Sequence, residues 1–392
     1  LEFDVGNTMD EWVRSNSFIL CPPQTYHSQL CGAMIPRLIL SILLLSISSS
    51  LTAQWTAPGF EGNVGRGFLL PHRQNMKHLP QGPAHFLEGR VYHAVNGSKP
   101  WHSLFPQAEV GFALRVFDLA NVDVLGYGIG GAFYLSAPVV IKPKFQWNLE
   151  LGAGPGIVTK PFNPSSNYKN VAIGSYGNVF IMLGQRFTYH INERLDVNLN
   201  LSFNHFSNAA FTLPNLGLNY PMISSGMGYR LPSNRPDTLF EVKAAEKVKN
   251  FWTVGINNGL KEYARPYKAK HPAFVALADY NVGLGRKSSL SLGADVMYNL
   301  ALLKYRRAIG QEVTALENTQ IGIRAGYNLH VEEMLIFFQI GGYVLDTYER
   351  DGWMYNRVGL RYFFTDSFGA NLSLKTHKFK ADYAEAGVSF RF

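Results

Sequence analysis

A two-residue period governs this chain. From Leu195, residues Leu195, Val197, Leu199, Leu201 and Phe203 alternate with Asp196, Asn198, Asn200, Ser202 and Asn204. Side chains of a strand point alternately to its two faces, so only a β-strand separates these sets into an apolar face and a polar one. The same alternation recurs at Ile321, Ile323, Ala325 and Tyr327 against Gly322, Arg324, Gly326 and Asn328. It returns at Phe368, Ala370, Leu372 and Leu374 against Gly369, Asn371, Ser373 and Lys375. The chain closes on AGVSFRF, with Val388, Phe390 and Phe392 on one face and Ser389 and Arg391 on the other. Segments of roughly ten residues with this pattern, separated by turn-rich pieces, are the signature of an antiparallel transmembrane β-barrel of the bacterial outer membrane.

Counting back from Phe392 predicts strands near 381–392, 368–378, 354–364, 334–346, 317–329, 289–299, 272–284 and 248–261. Upstream of these fall 217–230, 193–206, 170–187, 144–157, 125–137 and 107–117, with a further pair at 84–94 and 62–70. Single-chain bacterial barrels carry even strand numbers, so the pair is accepted or rejected together and the fold is an all-β barrel of 14 to 16 strands. The expected organisation is a single barrel over residues 55–392. Composition agrees: 14% of residues are aromatic and only 16% charged, against roughly 25% charged in soluble domains. The +8 net charge is dispersed, without the basic cluster that nucleic-acid binding requires, and suits anionic lipid head groups better.

Ahead of the barrel, Met34 to Arg37 form a short basic start, Leu38 to Ile47 an apolar run, and Ser48 to Gln54 a small-residue exit, which reads as a signal peptide over 34–54. The apolar run falls well short of the roughly 20 residues of a spanning helix. Residues 1–33 are expected to be an upstream start-site artefact. Both cysteines, Cys21 and Cys31, lie there, so the exported portion offers no disulfide or thiolate metal site.

With the C-terminus at the periplasmic side, the strand ending at Phe206 runs outward. The loop after it, together with 159–170, 261–270 and 302–318, falls on the extracellular side. The connection 231–247 falls on the periplasmic side, with a short helix conceivable near Phe240 to Val248. Trp252, Tyr298, Trp353 and Tyr362 read as interfacial girdle residues, and Arg324, Asp295 and Lys375 as lumen charges. His72, His78, His85, His93 and His102 fit no compact metal-ligand spacing and read as polar loop or lumen residues.

Extending the parity of Leu195 to Phe203 puts His205 and Ser207 on the lipid-facing side, at the rim. Serine becomes nucleophilic beside a base, and histidine exchanges a proton near neutral pH. Same-face neighbours on a strand have Cα atoms about 6.5 to 7 Å apart, so the two side chains meet only if the strand end twists or bulges. A hairpin folding symmetrically about Ala210 to Leu213 sets Asn219 opposite His205, where an asparagine can orient the imidazole. Asn208, Asn215 and the loop amides are candidates for holding an oxyanion.

The run HFSNAAFTLPNLGLN, containing H-x-S-N-A and P-N-x-G, resembles the signature of the lipid A 3-O-deacylase (PagL) family. The likeness extends loosely upstream through LELGAGPG at Leu149 to Gly156 and covers about residues 60–230. Residues 231–392 are additional strands that roughly double the family's eight-stranded barrel. The resemblance implies a serine esterase that removes an ester-linked acyl chain from lipid A without metal or cofactor. His205 is then the base, Ser207 the nucleophile, and Asn208 and Asn215 the oxyanion-site residues. The chain departs from the family at Asn219, where the pattern carries glutamate. The implied partners are lipid A within lipopolysaccharide and the surrounding outer-membrane lipids; separately, the terminal Phe392 closing its strand resembles the assembly signal of bacterial outer-membrane barrels, which makes the barrel assembly machinery an expected partner. Two other readings stay open: an outer-membrane phospholipase A-like hydrolase, which pairs His-x-Ser with a downstream Asn, and a porin-like or structural barrel without activity.

Overall fold

The computed structural model describes residues 58–392 except 96, 98, 233–243, 263–268, 349–351 and 379. The expected signal peptide, the start-site segment and both cysteines lie outside the described residues.

Among the described residues sixteen strands form, alternating in direction. The first eight are β1 (Gly59–Gly67), β2 (Ala84–Ala94), β3 (Glu109–Phe117), β4 (Gly128–Lys142), β5 (Phe145–Val158), β6 (Gly177–His190), β7 (Leu195–Ser207) and β8 (Leu218–Arg230). The second eight are β9 (Phe251–Glu262), β10 (Lys270–Gly283), β11 (Ser288–Asn299), β12 (Thr319–Val331), β13 (Met334–Leu345), β14 (Met354–Phe363), β15 (Phe368–His377) and β16 (Lys380–Arg391). The N-terminal pair of strands is therefore real, and the higher strand count holds.

The expected single barrel is two. β1 pairs with β8, from Gly59 opposite Arg230 to Gly67 opposite Met222, and β16 pairs with β9, so each set of eight closes on itself. The C-terminal Phe392 extends the second closure, exchanging backbone hydrogen bonds of 2.8 and 3.1 Å with Trp252. Eight strands make a cylinder just wide enough to be filled by side chains, and both are filled. The polar faces predicted to line a wet interior are packed against one another. In the first barrel Arg90 meets Glu88 at 2.6 Å and Glu150 at 2.7 Å, Arg186 meets Glu61 at 2.7 Å and also Glu109, and Arg115 meets Glu88. In the second, Arg357 bridges Asp295 and Glu385, Arg324 bridges Asp279 and Asp295, and Lys375 pairs with Asp382. Buried charges need such partners, because an unpaired one costs several kcal/mol.

The opposite parity is exposed and apolar, as on Val197, Leu199, Leu201 and Phe203 of β7 and Ile256, Leu292 and Ile323 of the second barrel. That band, and not a helix, faces the bilayer; among the described residues no helix is long and apolar enough to cross one. Trp252, Trp353 and Tyr362 are exposed as a girdle requires, and Tyr298 is half-buried. The segment expected as the loop 302–318 begins with a helix, α1 (Leu300–Ala308), which Asn299 caps by accepting from the Leu302 amide at 3.1 Å. Residues 244–250 are irregular, and the remainder of the helix considered near Phe240 lies outside the described residues.

At the end of the first barrel where β7 turns into β8 the polar core gives way to a hydrophobic cap. Phe206 is fully buried there, 4.9 Å from Phe180 and 5.4 Å edge-on to Phe117. The connecting loops roof this cap with Leu69, Met76, Leu79, Leu119 and Leu125, all buried.

Candidate active site

Phe206 fixes the site. Burying a phenylalanine removes about 1.5 to 3 kcal/mol of apolar exposure, so the strand end cannot slip, and its neighbours His205 and Ser207 are held at the opposite parity. His205 lies opposite Asn219 in the β7–β8 ladder, as the symmetric hairpin predicted.

The imidazole is oriented by a chain of hydrogen bonds that begins outside this hairpin. The Leu216 carbonyl only accepts, so His72 Nε2, 3.1 Å away, carries the proton that reaches it. The neutral ring then has a bare Nδ1, which accepts from Asn219 Nδ2 at 3.1 Å. This turns Asn219 Oδ1 toward His205, whose Nδ1–H donates to it at 2.6 Å. The Nε2 lone pair of His205 is left free, the state a general base requires.

Ser207 is buried beneath the loop that follows it. Its Oγ lies 3.0 Å from Nδ2 and 3.2 Å from Oδ1 of Asn215, and it accepts from the Ala209 amide at 3.1 Å. The chain just after that amide turns through left-handed backbone at Ala209 (φ 55) and Ala210 (φ 61). Such conformations cost a non-glycine residue roughly 1 to 2 kcal/mol each and persist only where the surroundings enforce them. Asn215 Oδ1 also takes the Asn208 amide at 3.0 Å. Both side-chain hydrogens of Asn208 are committed, to Ser175 Oγ at 2.8 Å and the Thr212 carbonyl at 2.9 Å.

The residues singled out in the sequence thus assemble as two adjoining groups. His205 and Asn219 form one, and Ser207, Asn215 and Asn208 the other; His205 and Ser207 share no hydrogen bond. Donors already beside Ser207 Oγ are Asn215 Nδ2 and the Ala209 amide, whereas the Asn208 side chain ties the loop together. His72, read from the sequence only as a polar loop or lumen residue, reaches the site through Leu216 and Asn219, and Ser175, to which the sequence gives no role, joins it through Asn208.

The P-N-x-G segment has a part for each position after the proline. Asn215 holds the hydroxyl, and the Leu216 carbonyl anchors His72. Gly217, at φ +80, leaves room for the imidazole, since a Cβ there would stand 2.6 Å from His205 Cε1. The segment is held from outside by the Ala172 carbonyl, which accepts from the amides of Leu216 at 2.9 Å and Gly217 at 3.3 Å.

The remaining histidines of the N-terminal stretch are scattered. His85 pairs with Asp118 at 2.8 Å, His78 reaches the Lys169 carbonyl at 2.8 Å, and His102 accepts from the Gly97 amide at 3.1 Å. Among the described residues no group of three or more His, Cys, Asp or Glu side chains is placed to hold a metal ion.

The fold is thus a filled β-barrel of the outer-membrane type, with a histidine and a serine of outward parity beside a loop of left-handed backbone. Residues 86–228 match the family described as lipid A 3-O-deacylase (PagL), and residues 250–392 match acyloxyacyl hydrolase, C-terminal domain. The chain belongs to the lipid A 3-O-deacylase family, and the strands beyond the first barrel form its C-terminal domain. No curated protein matches the sequence. Among solved structures, an outer membrane channel from Pseudomonas putida F1 aligns at 11% identity over 86% of this chain and 96% of its own, with a TM-score of 0.18. A mutant Rh. blastica porin aligns at 11% identity over 86% of this chain and 99% of its own, also at 0.18.

Proposed function

We propose that the chain is a serine esterase of the outer membrane that removes an ester-linked acyl chain from lipid A at the extracellular rim of its first barrel. The observation that carries this reading is the hydrogen-bonded chain from His72 through Asn219 to His205 Nδ1, on the strand face that Ser207 shares two residues further on. In this mechanism Ser207 gives up its bond to Asn215 and passes its proton to Nε2 of His205. Oγ attacks the ester carbonyl, and the tetrahedral oxyanion is held by Asn215 Nδ2 and the Ala209 amide, a contribution of about 3 to 4 kcal/mol per donor in other hydrolases. The carbon–oxygen ester bond then breaks. The sugar oxygen leaves with the proton from His205, and water releases the acyl group from Ser207 as a fatty acid. Asn208 acts through the loop, by its bonds to Ser175 and Thr212. The chemistry calls for no metal or cofactor.

The outward parity of His205 and the exposed Phe68, Phe203 and Ile223 just below it fit a substrate whose acyl chains lie in the bilayer while its sugar sits among the head groups. The strand ending at Phe392 is the element we assign to recognition by the barrel assembly machinery. The filled lumens disfavour a porin-like role. Purified protein in detergent should release fatty acid from lipid A, and Ser207→Ala should abolish release while the barrels stay folded. Undiminished release by Ser207→Ala would refute the serine mechanism.

A further inference from the structure

The second barrel has no residue in the constellation above, yet it touches the loop that forms it. Glu262, the last residue of β9, is buried, and its Oε2 accepts from the Leu213 amide at 2.9 Å. Its own amide donates to the Ala210 carbonyl at 3.4 Å. Lys270, paired with Glu262 across the β9–β10 ladder, places Nζ 4.3 Å from the centre of the Phe211 ring.

These contacts fall where the loop needs them. Immediately after the Ala209 amide that donates to Ser207 Oγ, the chain turns through left-handed backbone at Ala209 and Ala210. Leu213 leads into Pro214, which has no amide hydrogen, so Leu213 offers the last backbone donor before Asn215. A carboxylate there forms a charge-assisted bond, roughly twice as strong as a neutral one. The brace grips the loop on both sides of its tip, between Ser207 and the asparagine that holds it.

From this we infer that Glu262 is a positioning residue for the hydrolase site, and that the second barrel serves to hold the nucleophile loop of the first in its reactive shape. The inference rests on Ser207 being the nucleophile. Glu262 touches no reacting atom, so its loss should lower turnover and leave substrate binding nearly unchanged. Gln at this position still offers an acceptor oxygen and should retain most of the function.

The test uses the full chain and a fluorophosphonate probe, whose phosphorus is attacked by an activated serine with loss of fluoride. Unaltered protein should be labelled at Ser207. Glu262→Ala should be labelled at least about tenfold more slowly, the loss expected of one charge-assisted hydrogen bond. It should lose a similar factor in kcat on lipid A with KM within about twofold, and Glu262→Gln should stay within about threefold of the unaltered protein. A mobility difference between unboiled and boiled protein on a gel, equal to that of the unaltered protein, confirms that each variant is folded. Glu262→Ala labelled at the unaltered rate would overturn the brace while leaving the serine mechanism standing. Unaltered protein that resists the probe and still cleaves lipid A would overturn the serine mechanism and the brace with it.

Discussion

Gly217→Ala probes the site where its tolerance is smallest. A Cβ at this position would lie 2.6 Å from His205 Cε1 and 3.5 Å from Nδ1. Ordinary contact begins near 3.4 Å, so the imidazole must retreat by about 0.8 Å or the backbone must leave φ +80. Leaving it is resisted by the Gly217 amide bond to the Ala172 carbonyl, and keeping it costs alanine roughly 1 to 2 kcal/mol. Either movement lengthens the 2.6 Å bond from His205 Nδ1 to Asn219 and displaces the imidazole that the mechanism needs as base. A misplacement near 1 Å costs about a hundredfold in rate. Fatty-acid release from lipid A should therefore fall by about that factor, with barrel stability lower by no more than roughly 2 kcal/mol. Turnover within about threefold of the unaltered protein would refute the claim that the glycine exists to admit the imidazole.

Three further substitutions test separate links. Asn219→Glu places a carboxylate against His205, stabilises the imidazolium formed in the reaction and raises the pKa of the ring. It should raise kcat and move the acidic limb of kcat/KM to higher pH, and an unmoved limb would remove Asn219 from its orienting role. His72→Phe leaves the Asn219 amide group without its outer partner and should lower kcat several-fold, as loss of one hydrogen bond of about 1 kcal/mol implies; unchanged kcat would detach His72 from the site. Phe206→Ala opens a cavity between Phe117 and Phe180 and should destabilise the first barrel by about 3 to 5 kcal/mol, measured by denaturant titration in detergent. A loss under about 1 kcal/mol would mean that the cap does not hold the strand end.

What the sequence made legible, and what it hid, follows from the reach of each interaction. Strand positions could be read because alternation is local: every strand reports its own two faces, and the inward Arg324, Asp295 and Lys375 were evident from parity alone. The opposition of His205 and Asn219 could be read because a hairpin register depends only on its turn. Closure could not, because alternation is the same whether β1 pairs with β8 or with β16. The long connection after Arg230 was the available hint. That ambiguity also concealed His72. Only closure after eight strands brings the chain beyond β1 alongside β8, where the Leu70 amide meets the Asn219 carbonyl at 2.9 Å and His72 reaches the side chain. The α1 helix was missed because it is a short element inside a loop, started by the Asn299 cap. The resting bond of Ser207 to Asn215 rather than His205 depends on rotamers that no periodicity records.

Mass spectrometry of lipid A from cells carrying the gene, the Ser207→Ala form or neither puts the central claim at most direct risk. The account predicts a species lighter by one hydroxyacyl group with the unaltered gene alone. The same lighter species with Ser207→Ala, or no change of mass with either, would contradict it.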